Sequence, residues 1–484
     1  MSKFYVTTSI AYTNSGPHIG HAMEMIQADV MARYHRQLGD DVWFLTGTDE
    51  HGAKIDRAAA AAKLTSQKFV DEVSQVFREL TKSLNLSNDQ FIRTTDEAHK
   101  KAARELWKAC SKDIYEGEYE GEYCVDCETY YTPTDAPKKI CPVHEKPLEH
   151  TKQKNYFFKL SNYTKPLKKA ITSDALLVTP VSRKNEILAL LESGLEDISI
   201  SREKSQLAWG IPVPGDADQV MYVWFDALSN YISALGYPDG ENFAHYWPAD
   251  LHVIGKDILR QHAAIWPAML LSAGLSLPKA IYAHGWIKID GAKLSKSKGN
   301  GVSAEAVITQ YGLDALRYYL LREISSVGDG DFSWERMESV YNADLANDLG
   351  NLVQRVAVMI TKYYDGKIGE LPHHSHDISD YDEAMVQLRF DRALESVWSL
   401  VRGLNQYLEE EKPWQKAKDD PEGLKEVLHH AVSDLGQIAT LLLPFLPSTA
   451  GKIMATFADG KVHPEVGLLF PKAERLEKMI FEVE

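Results

Sequence analysis

Two short stretches carry residue types spaced for phosphate chemistry. The first is His18-Ile19-Gly20-His21, entered through Gly16-Pro17. Imidazoles at the start of a helix can donate to phosphate oxygens, where free N–H groups and the positive dipole end already favour an anion. Gly20 has no side chain, so a nucleobase can lie against the backbone. The second is Lys293-Leu294-Ser295-Lys296-Ser297, flanked by Gly291 and Gly299. Two lysines on long stems and two hydroxyls form a cationic clamp for a polyphosphate. Each has a plainer reading taken alone: the histidines as coincidence or a metal pair, the lysine loop as solvated surface.

The elements around these stretches read as α/β. An apolar strand covers residues 4–8, a helical pattern residues 18–37, and a second strand residues 41–45, ending at Thr46-Gly47-Thr48-Asp49. Strand, loop, helix, strand opens a parallel sheet, and such sheets bind ligands at the carboxyl ends of their strands. A polar helical stretch follows over 53–84. Residues 116–220 lose helical periodicity at their start and read as an inserted domain. Apolar runs resume at 220–225, 251–254 and 281–283. Beyond about residue 335 the pattern is helical, most clearly at 341–364 and 381–411. The expected domains are 1–115 and 221–285 as the two halves of a Rossmann-like catalytic domain, 116–220 as the insert, 286–345 as the lysine–serine (KMSKS-type) loop and linker, and 346–484 as an all-α domain.

Cys124-x2-Cys127 is followed after thirteen residues by Cys141-x2-His144. Two tight pairs of soft ligands suit a tetrahedral zinc site, and four protein ligands make it structural. A disulfide or a vestigial, metal-free knuckle are the alternatives. Cys110 lies in a helical stretch and reads as core. His373-His374-Ser375-His376, after Pro372, reads as a linker rather than a metal site.

Composition bounds the rest. With 53 basic and 69 acidic residues the net charge is −16, which excludes a general polyanion binder but not a local basic patch. The 44% apolar fraction of 484 residues suits a large core and two to four domains. Four cysteines are too few for a secreted disulfide framework. The N-terminus is no signal peptide. The most apolar stretch, 438–446, falls far short of the ~20 residues needed to span a bilayer. A cytoplasmic protein without membrane contact is expected.

Together the two phosphate stretches resemble the two signatures of class I aminoacyl-tRNA synthetases. The first matches at every position, and the second departs only at Leu294, where methionine is usual. The resemblance is closest to the methionyl-tRNA synthetase family. It rests on Ile10-Ala11-Tyr12, on the run from Thr46 to Gly52, on Val223-Trp224-Phe225-Asp226-Ala227, and on Ile254-Gly255-Lys256-Asp257-Ile258, continuing to His262 and Trp266-Pro267-Ala268-Met269. It implies a methionine pocket of Ile10, Tyr12, Asp49, Trp224, Ala227, Leu228, Tyr231, Ile258, His262 and Trp266. The chemistry agrees: a soft thioether favours aromatic edges, and a cationic amino group needs a carboxylate, here Asp49. Ala11 and Leu228 stand where the family commonly has proline.

The resemblance further implies catalysis through His18, His21, Lys293 and Lys296, and ATP, with Mg2+, held by Gly20, Glu24, Gly255, Asp257, Ser295 and Ser297. It implies zinc in the insert, and anticodon reading by Asn351, Arg355 and Trp414 in the C-terminal domain. Asn351 and Arg355 share one helix face, and a tryptophan can stack an unpaired base. The implied activity joins L-methionine to tRNA(Met) through methionyl-adenylate, in a chain expected to be monomeric. Related leucine, isoleucine and valine enzymes carry an editing domain for which 116–220 leaves no room. A tRNA-binding paralogue without catalysis is opposed by the intact His18, His21, Lys293 and Lys296. A small nucleotidyltransferase is opposed by the helical domain.

Overall fold

Five residues in a row are buried in the strand Lys3–Thr8, a pattern that belongs to a parallel sheet covered on both faces. In the computed structural model that sheet runs, in order, Ala11–Tyr12, Asp41–Asp49, Lys3–Thr8, Leu251–Gly255, Ala280–His284 and Leu177–Thr179, with Gln90–Arg93 also paired to Asp41–Asp49. Every pairing is parallel. The structure describes residues 2–124, 129–131, 136–142, 145–205, 207–289, 292–293, 302–369, 375–464 and 467–471. The chain forms two compact units: residues 1–17 with 35–284, and residues 18–34 with 285–484.

In the first unit, the second strand continues beyond 45 to Asp49. Thr46-Gly47-Thr48-Asp49 looks like a turn but is sheet, and Gly47 explains why. A Cβ there would come within 2.1 Å of the Ile92 carbonyl oxygen, so glycine permits a close strand approach rather than a bend. The stretch 53–84 is two helices, Ala53–Ala61 and Ser66–Ser83, separated by Lys63 at φ 59. Residues 220–225 hold the end of the antiparallel strand Asp216–Met221 and the start of a helix, Val223–Leu228. The insert supplies a four-stranded antiparallel sheet, with Ile114–Cys124 at its centre beside Glu149–Phe158. It also lends Leu177–Thr179 to the parallel sheet, where Val178 joins the main apolar core. The expected boundary at 116–220 therefore does not separate insert from sheet.

The second unit is largely helical from 304 onward. The stretch 341–364 is a π-helical segment, Tyr341–Gly350, running into the α-helix Asn351–Tyr364. The stretch 381–411 breaks at Leu388, φ 56, into Ser379–Val386 and Phe390–Glu411. No helix among the described residues is long and apolar enough to cross a membrane.

The helix Ile19–Gln37 carries the histidine signature at its start, and a buried ion pair anchors it within this unit. Asp29 accepts from Arg317 Nη1 at 2.8 Å and from Arg33 Nε at 2.7 Å. Arg317 is fully buried and also donates to the carbonyls of Phe445 and Pro444 at 2.6 and 3.0 Å. Burial pulls its pKa below the ordinary value, and Asp29 opposes that pull. Removing one partner strands the other charge, which costs ~3–5 kcal/mol. Asp29→Ala is expected to lower the thermal midpoint accordingly. An unchanged midpoint would show that the pair contributes little.

Candidate functional site

Every residue expected of the methionine pocket lies in the first unit. Strand pairing sets Tyr12 opposite Asp49, and the Asp49 carbonyl accepts from both the N–H and the hydroxyl of Thr13 at 3.0 Å. Asp49 is buried at the carboxyl end of its strand. The next residue, Glu50, is fully buried and fixes that strand end. It receives Arg93 Nε at 2.7 Å and Nη2 at 2.8 Å, with the hydroxyls of Thr48 and Thr95 at 2.6 and 2.5 Å. A two-pronged guanidinium and two hydroxyls satisfy a carboxylate taken out of water. Gly52, at φ 120, then turns the chain into a helix through a conformation glycine adopts readily.

Asp226 ties three elements together. Its carboxylate meets His51 Nδ1 and His99 Nε2, each at 2.7 Å, and His99 Nδ1 meets the Ser233 hydroxyl at 2.8 Å. Burial pushes the Asp226 carboxyl up, but the two imidazoles more than offset it and bring its pKa to about 2. His51 follows the Asp41–Asp49 strand, His99 lies in the helix Glu97–Ala109, and Asp226 in Val223–Leu228. The last of these carries Trp224, Ala227 and Leu228.

His262 lies in a π-helical turn, Gln261–Ile265, leading into the helix that starts at Trp266. Such widened turns often accompany functional sites. Its Nδ1 donates to the Ile258 carbonyl at 2.9 Å, so Nε2 accepts from the Tyr231 hydroxyl at 2.7 Å. Burial lowers the His262 pKa to about 4, and the ring is neutral at physiological pH. Trp224 meets this ring edge-on at 6.4 Å, and Tyr231 lies 5.8 Å from Trp266. Tyr231 is held in turn by Tyr5, which donates to its carbonyl at 2.7 Å, and by His252, 4.3 Å from its ring. Ile10, Trp224 and Ile258 are partly buried against the same core, Leu228, Tyr231 and Trp266 belong to it, and Ala227 is buried. A Cβ on Gly255 would lie 2.7 Å from Asp257 Oδ1, so these two expected nucleotide residues are neighbours.

In the second unit the histidine signature caps its own helix. The Gly20 N–H donates to His18 Nδ1, and the His18 N–H donates to His21 Nδ1, both at 3.1 Å. This reciprocal pattern is a capping box built from imidazoles. With each Nδ1 an acceptor, the neutral rings carry their proton on Nε2. The rings stack at 3.8 Å, giving two parallel N–H donors. A Cβ on Gly20 would come within 2.9 Å of the His18 ring, so Gly20 serves the cap itself. Glu24 is buried one turn on. Lys293 pairs through its backbone with Lys288. Ser295, Lys296 and Ser297 lie outside the described residues.

Cys124 and Cys141 are both buried in a small cluster with Ala136 and Leu148, and Cys141 Sγ lies 3.8 Å from the Tyr131 hydroxyl. Cys127 and His144 lie outside the described residues. Cys110 is core: burial raises its thiol to about 12, and it donates to the Met269 carbonyl. In the helical region Asn351 is exposed. Arg355 Nη1 pairs with Glu409 at 2.7 Å. Trp414 is 38% exposed on the short helix Pro413–Asp419.

Sequence reading missed Glu50, His51, Arg93, His99 and Asp226 as the groups that tie together the elements carrying the expected pocket residues. Asp226, charged between Phe225 and Ala227, was the available signal. Its partners are too distant in sequence to be read from it.

The chain is similar to known proteins over nearly its whole length. Residues 4–147 and 131–357 match the family "tRNA synthetases class I (M)", and residues 370–466 match "Anticodon binding domain of methionyl tRNA ligase". The methionine–tRNA ligase of Thermotoga maritima is 44% identical over 470 residues, covering 93% of this chain and 74% of that one. That of Streptomyces coelicolor is 42% identical, covering 96% and 91%. Among solved structures, Mycobacterium tuberculosis methionyl-tRNA synthetase in complex with methionyl-adenylate has a TM-score of 0.90 at 38% identity, covering both chains fully. Its free state gives 0.85 at 34% identity, covering 98% of this chain and 99% of that one.

His262 makes stability depend on pH. A histidine whose pKa falls on folding is protonated more readily in the unfolded chain. Its contribution is full above about pH 6.5 and is lost as pH falls from there toward 4. At ~1.36 kcal/mol per pH unit this amounts to roughly 3 kcal/mol. Urea midpoints of His262→Gln are expected to fall less than those of the unaltered chain across that window. Equal falls would contradict the assignment.

Proposed function

The chain belongs to the methionyl-tRNA synthetases of class I, and from that membership we propose how its residues join methionine to tRNA(Met). The methionine carboxylate attacks the α-phosphate of ATP and pyrophosphate leaves. A ribose hydroxyl at the 3′ end of the tRNA then attacks the adenylate carbonyl, and AMP leaves. Asp49 binds the α-ammonium group. Ile10, Tyr12, Trp224, Ala227, Leu228, Tyr231, Ile258, His262 and Trp266 enclose the side chain. The neutral His262, locked by Tyr231 and Ile258, keeps that enclosure free of cationic charge, as an uncharged thioether requires.

The Nε2–H groups of His18 and His21 donate to the phosphates, and Lys293 and Lys296 meet the charge that grows as pyrophosphate departs. This is positioning and electrostatics, with no covalent enzyme intermediate. Gly20, Glu24, Gly255, Asp257, Ser295 and Ser297 hold the nucleotide, which brings Mg2+ with it. Cys124, Cys127, Cys141 and His144 hold a structural Zn2+. The burial of Cys124 and Cys141 in one small cluster supports that reading. Asn351, Arg355 and Trp414 read the anticodon. The protein acts as a monomer in the cytoplasm. The observation that carries the methionine assignment is a buried carboxylate, Asp49, paired across strands from an aromatic, in the unit that also holds the neutral His262–Tyr231 pair.

Trp414→Ala tests the anticodon half. Its exposure in the free protein suits base stacking, worth ~1–3 kcal/mol. Aminoacylation kcat/KM is expected to fall ~5–150-fold, with methionine-dependent pyrophosphate exchange and thermal midpoint unchanged. A large drop in midpoint, with both activities lost together, would make Trp414 a packing residue.

A further inference from the structure

Outside every residue assigned above, the second unit brings together His376, His430 and Asp434. His430 and Asp434 lie four apart on the helix Pro421–Leu442 and so share a face. His376 precedes the helix Ser379–Val386. Asp434 Oδ1 lies 3.1 Å from His376 Nε2, and Oδ2 lies 3.3 Å from His430 Nε2. The three donor atoms are all within 4.8 Å of one another. The Asp434 side chain is 6% exposed, and the imidazoles 35% and 29%.

The separations are informative. The other described His–Asp pairs close to 2.7–2.9 Å, the range of a charge-assisted hydrogen bond. Bonds of 2.0–2.2 Å to a tetrahedral ion place neighbouring donor atoms about 3.3–3.6 Å apart. In the cluster around Asp434 the His430 separation reaches the second spacing, and the His376 separation lies between the two. Both histidines are also held by groups other than the carboxylate, His376 through its backbone and His430 through its ring. Gln437 accepts from the His376 N–H at 2.8 Å and donates to the His376 carbonyl at 3.0 Å. The His430 ring packs 4.6 Å from Tyr407. These contacts hold the chain at His376 and the ring of His430 beside Asp434.

We propose that His376, His430 and Asp434 bind a divalent transition-metal ion, Zn2+ being the best match for two imidazoles and a carboxylate. Three protein ligands, two of them partly exposed, leave a fourth position for water. The ion fastens residues 375–378 to the helix Pro421–Leu442. Sequence reading took 373–376 for a linker because His430 and Asp434 lie far along the chain.

Zinc bound per chain, by equilibrium dialysis of the purified full-length protein at fixed free Zn2+, tests this. The unaltered chain is expected to hold one equivalent more than His376→Ala/His430→Ala. Asp434→Asn, which keeps the carboxylate's shape, is expected to lose the same equivalent. Co2+ bound at this site is expected to give weak visible bands with no thiolate charge-transfer band, which separates it from the cysteine site. Both variants retain methionine-dependent pyrophosphate exchange, since none of these residues serves the reaction. Equal zinc content in the unaltered chain and both variants overturns the proposal.

Discussion

A carboxylate withdrawn from water keeps its charge only where donors replace the water it has lost. Asp226 meets that condition through His51 and His99, and much of the first unit's site follows from it. The three residues come from a strand end and two helices, so satisfying the carboxylate fixes how those elements pack. The turn of helix bearing Trp224, Ala227 and Leu228 is set by the same contact. Glu50 repeats the device one residue beyond Asp49, with Arg93 as the cation. In the second unit, Asp29 and Arg317 do the same for the helix that begins at the histidine signature.

Backbone groups complement these buried charges by holding histidines in single tautomers. The His18 and His21 rings use Nδ1 to cap their helix, which leaves Nε2–H as the donor. The His262 ring uses Nδ1–H on a carbonyl, which makes Nε2 an acceptor. The same side chain thus serves opposite roles, and in each case a backbone group selects the tautomer. Groups arranged beforehand need little reorganisation when charge moves to the leaving pyrophosphate. An apolar pocket has a limit, however. It separates substrates differing by one methylene only ~10–200-fold, so some activation of homocysteine is expected.

Contiguous patterns were legible in the sequence. The strand at 4–8 and the helix at 18–37 appear almost at their read boundaries, since burial and periodicity are local. Thr46-Gly47-Thr48-Asp49 was read as a strand end because glycine and aspartate signal turns, whereas Gly47 is there to admit the Ile92 carbonyl from a neighbouring strand. Gly20 was read as open backbone for a nucleobase, and its missing Cβ also makes room for the His18 ring. The groups that tie together the elements carrying the expected pocket residues, and the His376 cluster, escaped for a common reason: each joins residues far apart in sequence. The family was recoverable through resemblance, whereas the buried charges that fix these elements became visible only in three dimensions.

The central claim is that the site selects methionine for activation, and it is tested most directly by pyrophosphate exchange measured separately with each of the twenty amino acids. Methionine is expected to drive exchange, with leucine, isoleucine and valine near background. No exchange with methionine, or equal exchange with one of those three, would contradict the account.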